Sequence, residues 1–255
     1  MKGRIPLVDP ADILDGIDSV IHLAASLPDA ARGERSAYEL VNTRWTEALG
    51  TACALRGVTL IFPSTGSVYA GEHGELLSED TPYIRPQEPY AVSKYKAEQA
   101  LQSLKKKGLR FSIVRMGSVF GPAPQVNPHT VVNSFVLQAL RREPLTVWQS
   151  ALDQMRPYTY VGDAVAAINF LIDQDVFEGD VYNVVSENTT VRTVTKEIQK
   201  HVPDHRVTIV ESGRMNDFSF GMDDGKIRAL GFKARGTLHD GISELFRALA
   251  PTPLV

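Results

Sequence analysis

Pro63-Ser64-Thr65-Gly66-Ser67-Val68-Tyr69, then Glu79-Asp80-Thr81-Pro82, then Pro89-Tyr90-Ala91-Val92-Ser93-Lys94 with Glu98 one turn beyond, is the stretch on which the reading of this chain turns. A short apolar run, 60–63, leads into it and reads as a strand. From Tyr90 the pattern turns helical: Ala97, Ala100, Leu101 and Leu104 fall at i, i+3, i+4 and i+7, one apolar face, and Gly108 supplies a stop. A tyrosine and a lysine four positions apart on a helix share a face. An ammonium placed there can lower the pKa of a phenol and ready it for proton transfer near neutral pH. The Thr65 hydroxyl, at a strand end, can hold a substrate oxygen against that phenol. Tyr-x-x-x-Lys alone is cheap, with about 0.3 chance matches in a chain like this. The weight lies in the order of the pieces around it.

Working outward, 20–24, 60–63, 111–114 and 181–185 are short, β-rich apolar runs separated by helical patterns over roughly 36–56, 90–107, 129–142 and 163–174. Continuous apolar strands alternating with helices predict an α/β fold with a parallel sheet covered on both faces. Past about residue 186 the elements shorten: 194–201 helical, 207–210 strand-like, 238–249 a terminal helix. No internal repeat, low-complexity segment or long linker interrupts the chain.

The order strand, Ser/Thr cluster, Val-Tyr, Glu-Asp-Thr-Pro loop and Pro-Tyr helix start resembles the extended short-chain dehydrogenase/reductase superfamily, the NAD-dependent epimerase/dehydratase group. Asp18-Ser19-Val20-Ile21-His22-Leu23-Ala24-Ala25 is similar to that family's fourth strand and its cofactor-facing turn. Asn42-Thr43 resembles the start of its next long helix, and Arg115-Met116-Gly117-Ser118-Val119-Phe120-Gly121-Pro122 its sixth strand and exit. The resemblance implies a Rossmann-like doubly wound sheet and a cofactor, NAD or NADP. It further implies Thr65, Tyr90 and Lys94 as the catalytic set, with Leu23, Ala24, Ala25, Ser64, Tyr90, Lys94, Met116, Gly117 and Ser118 meeting the cofactor. Asn42 then takes a supporting role against the neighbouring strand's backbone. Residues 1–185 become a partial NAD(P)-binding domain from the fourth strand onward, and 186–255 mostly a substrate-binding lobe interleaved with the main sheet.

Against the family pattern, no Gly-x-x-Gly-x-x-Gly turn is present, and Gly3-Arg4 stands where the family has Gly-Asp. Glycines in that turn let backbone approach the cofactor pyrophosphate at a helix N-terminus. The expectation is therefore a sheet missing its first three strands, an open apolar edge at 20–24, and weak cofactor binding by this chain. Such an edge is an aggregation template, which favours a piece of a longer protein or a split partner.

Two positions after Thr65 bear on the reaction. Similar 4,6-dehydratases carry an acidic pair there and similar decarboxylases a Glu, whereas Gly66 and Ser67 supply no carboxylate. Simple hydride transfer needs only the Tyr, the Lys and the hydroxyl, so the resemblance points to an epimerase or reductase acting on a nucleotide-sugar or a similar hydroxyl/keto substrate. Ser67, Ser118, Arg156 and Arg214 are the candidate substrate contacts. Arg156, ahead of Pro157-Tyr158-Thr159-Tyr160-Val161 and Asp163, matches the family's phosphate-binding Arg, whose planar fork suits phosphate. Ser118 departs from an Asn common at its position, and Gln149-Ser150-Ala151-Leu152-Asp153 from a Gly-rich stretch. The alternative is a non-catalytic, degenerate Rossmann-like binding or scaffold protein.

At 255 residues and 43% hydrophobic the chain can bury one large core. A net charge of −3 makes no case for nucleic acid, and Lys105-Lys106-Lys107 reads as a solvated helix end. No apolar run approaches the roughly 18 residues of a membrane span. One cysteine, Cys53, rules out an internal disulfide framework and reads as a buried core residue. The absence of a signal-peptide pattern points to a cytoplasmic setting. Six scattered histidines show no ligand spacing, so no metal is expected, and His22 reads as a satisfied strand-end histidine. By resemblance, helices near 36–56 and 90–107 would form a homodimer interface, with Val92, Tyr95 and Gln99 facing the partner.

Overall fold

The structure, a computed structural model, describes residues 9–27, 37–69, 74–82, 84–211 and 219–250. A four-stranded sheet carries the main frame in the order β1 (Ser19–Ile21), β2 (Thr59–Thr65), β4 (Phe111–Met116), β8 (Glu178–Val184). β1 and β2 run parallel, with Val20 opposite Leu60 and Ile21 opposite Ile61. All six residues of β4 are buried, Ser112 and Arg115 among them, as in a strand covered on both faces, where no outward polar face is needed. β1 is an edge strand among the described residues, and past its end Leu23 is 70% exposed.

By its contacts the chain divides into two units, and it passes between them several times. The first comprises residues 1–68, 85–115 and 171–182. Here a π-helical turn, Tyr38–Arg44, runs into helix α1 (Trp45–Arg56), and α2 (Pro89–Leu104) follows β2. The Trp45 N–H reaches back five residues to Leu40 O, the signature of a π turn, a form concentrated at functional sites. Gly57, at φ 68°, ends α1 in the left-handed conformation that favours glycine. The predicted stripe of α2 is real: Ala97, Leu101 and Leu104 are buried with Leu49, Cys53, Leu60, Phe62, Phe111 and Ile113. Gly50 permits the close approach of α1 to α2, since a Cβ there would lie 2.7 Å from the Leu101 side chain.

The second unit comprises residues 69–84, 116–170 and 183–255. Its three-stranded sheet runs β5 (Ser118–Phe120), β7 (Met155–Tyr160), β9 (Glu187–Thr190). β5 and β7 are parallel from Ser118 opposite Tyr158, so Pro157, which has no N–H, sits just before that pairing begins. Two small parallel pairs complete it: β3 (Glu75–Leu77) with β11 (Phe220–Met222), and β6 (Leu145–Trp148) with β10 (Val207–Val210). Helices α3 (Val131–Leu140), α4 (Val161–Asp173), α5 (Val191–His201), α6 (Gly225–Ala229) and α7 (Leu238–Leu249) follow in chain order. Of these, α3, α5 and α7 close a core around Phe120, Leu145, Tyr158, Val194, Ile198 and Ile242. Among the described residues no helix is long and apolar enough to cross a membrane.

Candidate active site

Thr65 ends β2, and a 3₁₀ turn over Gly66–Val68 carries the chain away. Its Oγ1 accepts the Ser67 N–H at 3.1 Å, a local turn bond typical of threonine. That bond uses an oxygen lone pair and leaves the hydroxyl proton for an outside acceptor. Ser67 itself is exposed.

Tyr90 and Lys94 lie on the first turns of α2, with Pro89 at its opening. A buried polar chain fixes that start. The Asn42 Oδ1 accepts the Ser26 N–H at 2.7 Å, and its Nδ2 donates to Ser26 O at 3.0 Å and to Ser93 Oγ at 3.0 Å. Ser93 Oγ in turn donates to Tyr90 O at 2.7 Å, and Thr43 Oγ1 donates to Ser93 O at 3.0 Å. The π turn is thereby tied both to the segment following Ala24 and Ala25 and to the base of α2. Asn42 is 1% exposed. Its supporting role matches the expectation, although its partner is the loop after β1 rather than the strand itself.

Lys94 is 3% exposed. Its Nζ donates to Pro63 O at 2.7 Å and sits 3.8 Å from the centre of the Phe62 ring. Burial pushes the ammonium down to about 7, against a partial upward pull from Glu98. Tyr90 meets Tyr38 edge-on, with ring centres 6.4 Å apart. The expected lowering of the Tyr90 phenol by Lys94 is not what this arrangement produces. Burial, and then Tyr38, push Tyr90 up to about 12. The physical reason is that the ammonium is engaged by Pro63 O and Phe62, while the phenol stands in low-dielectric surroundings that disfavour its anion.

His22 sits beside this set, its ring against Trp45 and Phe62 at 5.1 and 5.8 Å. Thr46 Oγ1 donates its one proton to Asn42 O at 2.8 Å, so it must accept from His22 Nε2, 2.8 Å away. That fixes the neutral tautomer with the proton on Nε2. Burial, followed by the charge of Lys94, pushes His22 down to about 4. It is a satisfied histidine, as its sequence context indicated.

Sequence reading gave Glu98 and Arg115 no role. In the structure they are 2% and 3% exposed and form a two-pronged ion pair, with Nη2 to Oε2 at 2.6 Å and Nε to both carboxylate oxygens at 3.2 Å. Ser64 donates its hydroxyl to Glu98 Oε1. Ser64 had been expected to meet the cofactor, but its side chain is turned inward. The signal available was two charged residues on apolar elements, Glu98 one turn past Lys94 and Arg115 within a strand. Nothing local paired them.

Leu23 and Ala24 are exposed and Ala25 half-buried beyond the end of β1. With Ser64, Thr65, Tyr90 and Lys94 they belong to the first unit, at the C-terminal ends of parallel strands and the helix start beside them. Met116, Gly117, Ser118 and Arg156 belong to the second unit. There the Gly117 N–H donates to Thr159 Oγ1 at 2.9 Å, and a Cβ on Gly117 would lie 2.6 Å from Pro157 O. Arg156 donates to Gln154 Oε1 at 2.7 Å, and burial lowers its pKa. Arg214 lies outside the described residues.

Comparison with known proteins identifies the family. The family model "NAD dependent epimerase/dehydratase family" matches residues 8–184, more than half of the chain. An uncharacterized UDP-glucose epimerase of Bacillus subtilis is 30% identical over 193 residues, covering 72% of this chain and 58% of that protein. A trifunctional UDP-glucose 4,6-dehydratase, 3,5-epimerase and UDP-4-keto-L-rhamnose reductase of Arabidopsis thaliana is 27% identical, covering 96% of this chain and 38% of that protein. The chain thus spans well under two thirds of the length of either relative. Among solved structures, the UDP-glucuronic acid 4-epimerase of Bacillus cereus in complex with UDP-glucuronic acid and NAD superposes with a TM-score of 0.86. It is 25% identical, and the match covers 97% of this chain and 80% of that one. On the family model, which matches more than half of its residues, this chain belongs to the NAD-dependent epimerase/dehydratase family.

Proposed function

We propose that this chain carries the acid–base and nicotinamide-side part of an NAD(P)-dependent epimerase or reductase acting on a nucleotide-sugar. The observation that supports the reading is the convergence of a free threonine proton, a phenol and a buried lysine on one strand end and helix start. The residues fit the nicotinamide end of such a cofactor. Ala24, exposed, and Ala25, half-buried, put small side chains after β1, and Tyr90 and Lys94 offer donors of the kind a ribose accepts. When bound, the nicotinamide supplies reversible hydride acceptance. Thr65 donates its hydroxyl proton to the substrate oxygen and holds it toward the phenol. Tyr90, protonated at neutral pH in this arrangement, is poised to donate a proton, the direction that reduction of a keto group requires. Taking a proton from a hydroxyl requires positive charge closer to the phenol, and Lys94, near half-protonated at neutral pH, is the group able to provide it. Gly66 and Ser67 offer no carboxylate for elimination.

Ser118 and Arg156 are the proposed substrate contacts of the second unit, whose residues 186–255 would belong to the substrate lobe. The active protein is proposed to be a cytoplasmic homodimer through α1 and α2, with Val92, Tyr95 and Gln99 on the shared face; light scattering that gives a monomer unchanged by Tyr95→Glu removes that interface. The activity test is conversion of UDP-glucose or UDP-glucuronic acid at saturating NAD by the full chain. Formation of the 4-epimer with catalytic NAD identifies an epimerase, and stoichiometric NADH oxidation with a 4-keto sugar identifies a reductase. Tyr90→Phe is expected to reduce turnover by about 10²–10⁴-fold while sparing cofactor binding. A variant retaining more than half the activity removes Tyr90 from the mechanism.

A further inference from the structure

Phe62 is fully buried on β2, and a phenylalanine in a covered strand needs no further explanation. What sets this one apart is the charge on its face. The Lys94 ammonium lies 3.8 Å from the ring centre, well inside the roughly 6 Å at which a ring quadrupole attracts a cation. The same ammonium donates to Pro63 O at 2.7 Å, so two consecutive residues of β2 provide one seat, a ring face and a carbonyl. An ammonium has three donors, and among the described residues Pro63 O is its one hydrogen-bond acceptor. The ring face thus stands where a second acceptor would. Phe62 is itself held in place. It belongs to the buried cluster of Leu49, Leu60, Leu101 and Phe111, the His22 ring stacks beside it at 5.8 Å, and Pro63 confines its backbone to the extended region.

We propose that Phe62 is a positioning residue for Lys94: its π face holds the ammonium in a fixed direction between β2 and α2 and preserves part of the charge that burial would remove. The consequence for turnover rests on the acid–base reading of Tyr90 and Lys94; the contact itself does not. Covering a lysine with any apolar side chain excludes water and disfavours its charge, whereas an aromatic face also returns electrostatic attraction. The other titratable and charged groups around Lys94 do not replace the ring. From the end of β1, His22 is neutral, held down at about 4. On α2, Tyr90 is protonated, pushed up to about 12, and Tyr38 meets it from the π turn. Glu98, four residues on, pulls the lysine upward but is itself bound by Arg115 of β4.

The experiment replaces Phe62 site-specifically, in the full chain, by 4-fluorophenylalanine and by 3,4,5-trifluorophenylalanine. Fluorine withdraws charge from the ring face while keeping its shape and its exclusion of water. Lys94 is followed by NMR titration with ¹³C-labelled lysine, assigned from the resonance lost in Lys94→Met. In the wild type the Lys94 midpoint is expected near 7, and the end of its side chain should resonate upfield of the other lysines because it lies over a ring face. With three fluorines the midpoint should fall by about one pH unit, the equivalent of a desolvated cation–π contact, and with one fluorine by about a third of that. The alkaline limb of kcat should move down by the same amount, giving about fivefold less turnover at pH 7 with KM for the sugar nucleotide unchanged. Where the trifluorinated protein does not fold, the single fluorine still carries the measurement. A midpoint unmoved in the fluorinated proteins that fold, or a Lys94 resonance without the upfield displacement, overturns the proposal and leaves Phe62 a core side chain. A graded fall of the midpoint in a protein without turnover keeps the Phe62 assignment and rejects the enzymatic reading instead.

Discussion

Replacing Lys94 by Met should stabilise the protein at pH 6 and lose that advantage as pH rises. Lys94 is 3% exposed, and its ammonium is held at about 7 in the folded chain, against 10.5 ordinarily. At about 1.4 kcal/mol per pH unit, that gap corresponds to a penalty of about 5 kcal/mol wherever the lysine is charged in both states. Between about pH 7 and 10.5 the unfolded chain binds more proton at this site than the folded chain, so wild-type stability rises with pH across that window. Below 7 the full penalty is present. From pH 6 to pH 9 the wild type should therefore gain about 3 kcal/mol from this group, and Lys94→Met should gain nothing from it. Methionine keeps the apolar stem against Phe62 but leaves Pro63 O without its donor, a loss of about 1 kcal/mol at every pH. The variant should accordingly be more stable by about 4 kcal/mol at pH 6 and by about 1 kcal/mol at pH 9. Urea unfolding of both proteins at pH 6, 7, 8 and 9 measures the difference, and Cys53 and Tyr90, present in both, largely cancel. A difference that stays flat across these pH values would refute the claim that Lys94 is buried with a depressed pKa.

Other expectations follow from single contacts. Gly117→Ala places a methyl 2.6 Å from Pro157 O and 2.7 Å from its carbonyl carbon, an overlap with backbone that should destabilise by about 1–3 kcal/mol; an unchanged melting temperature contradicts it. Asn183 is fully buried, accepts from the Tyr69 hydroxyl at 2.7 Å and donates to Leu77 O and Asp223 O. Asn183→Leu should cost about 1–3 kcal/mol by removing the acceptor of the Tyr69 hydroxyl and a donor to Leu77 O and Asp223 O, to be read from denaturant midpoints. The Cys53 thiol is buried and pushed up to about 11, so Ellman's reagent at pH 8 should react with it only after urea unfolding; rapid labelling of the native chain would place it elsewhere.

Much of the frame was readable because it depends on local pattern. Apolar runs at 60–63 and 111–114 became β2 and β4, and the i, i+3, i+4, i+7 stripe of α2 is its buried face. Tyr90 and Lys94 share their helix by spacing alone. Three-residue strands such as β3 and β11 were not readable, since each exists only by pairing with the other some 140 residues away. The segment 155–160 was not read as a strand, and it pairs on both sides, with Pro157 falling just before the β5 register starts.

What the amino-acid sequence determined by itself is the alternation of strands and helices and the identity of the reactive groups, because periodicity and residue chemistry are properties of neighbours along the chain. What only the tertiary structure decided is the condition of those groups. Lys94 has a depressed pKa because Phe62 and Pro63 cover it; Tyr90 is raised by burial beside Tyr38; Ser64 spends its hydroxyl on Glu98. Glu98 finds Arg115 17 residues further along the chain, on another element. Desolvation and ion pairing depend on which distant residues are brought into contact, and folding alone supplies those contacts.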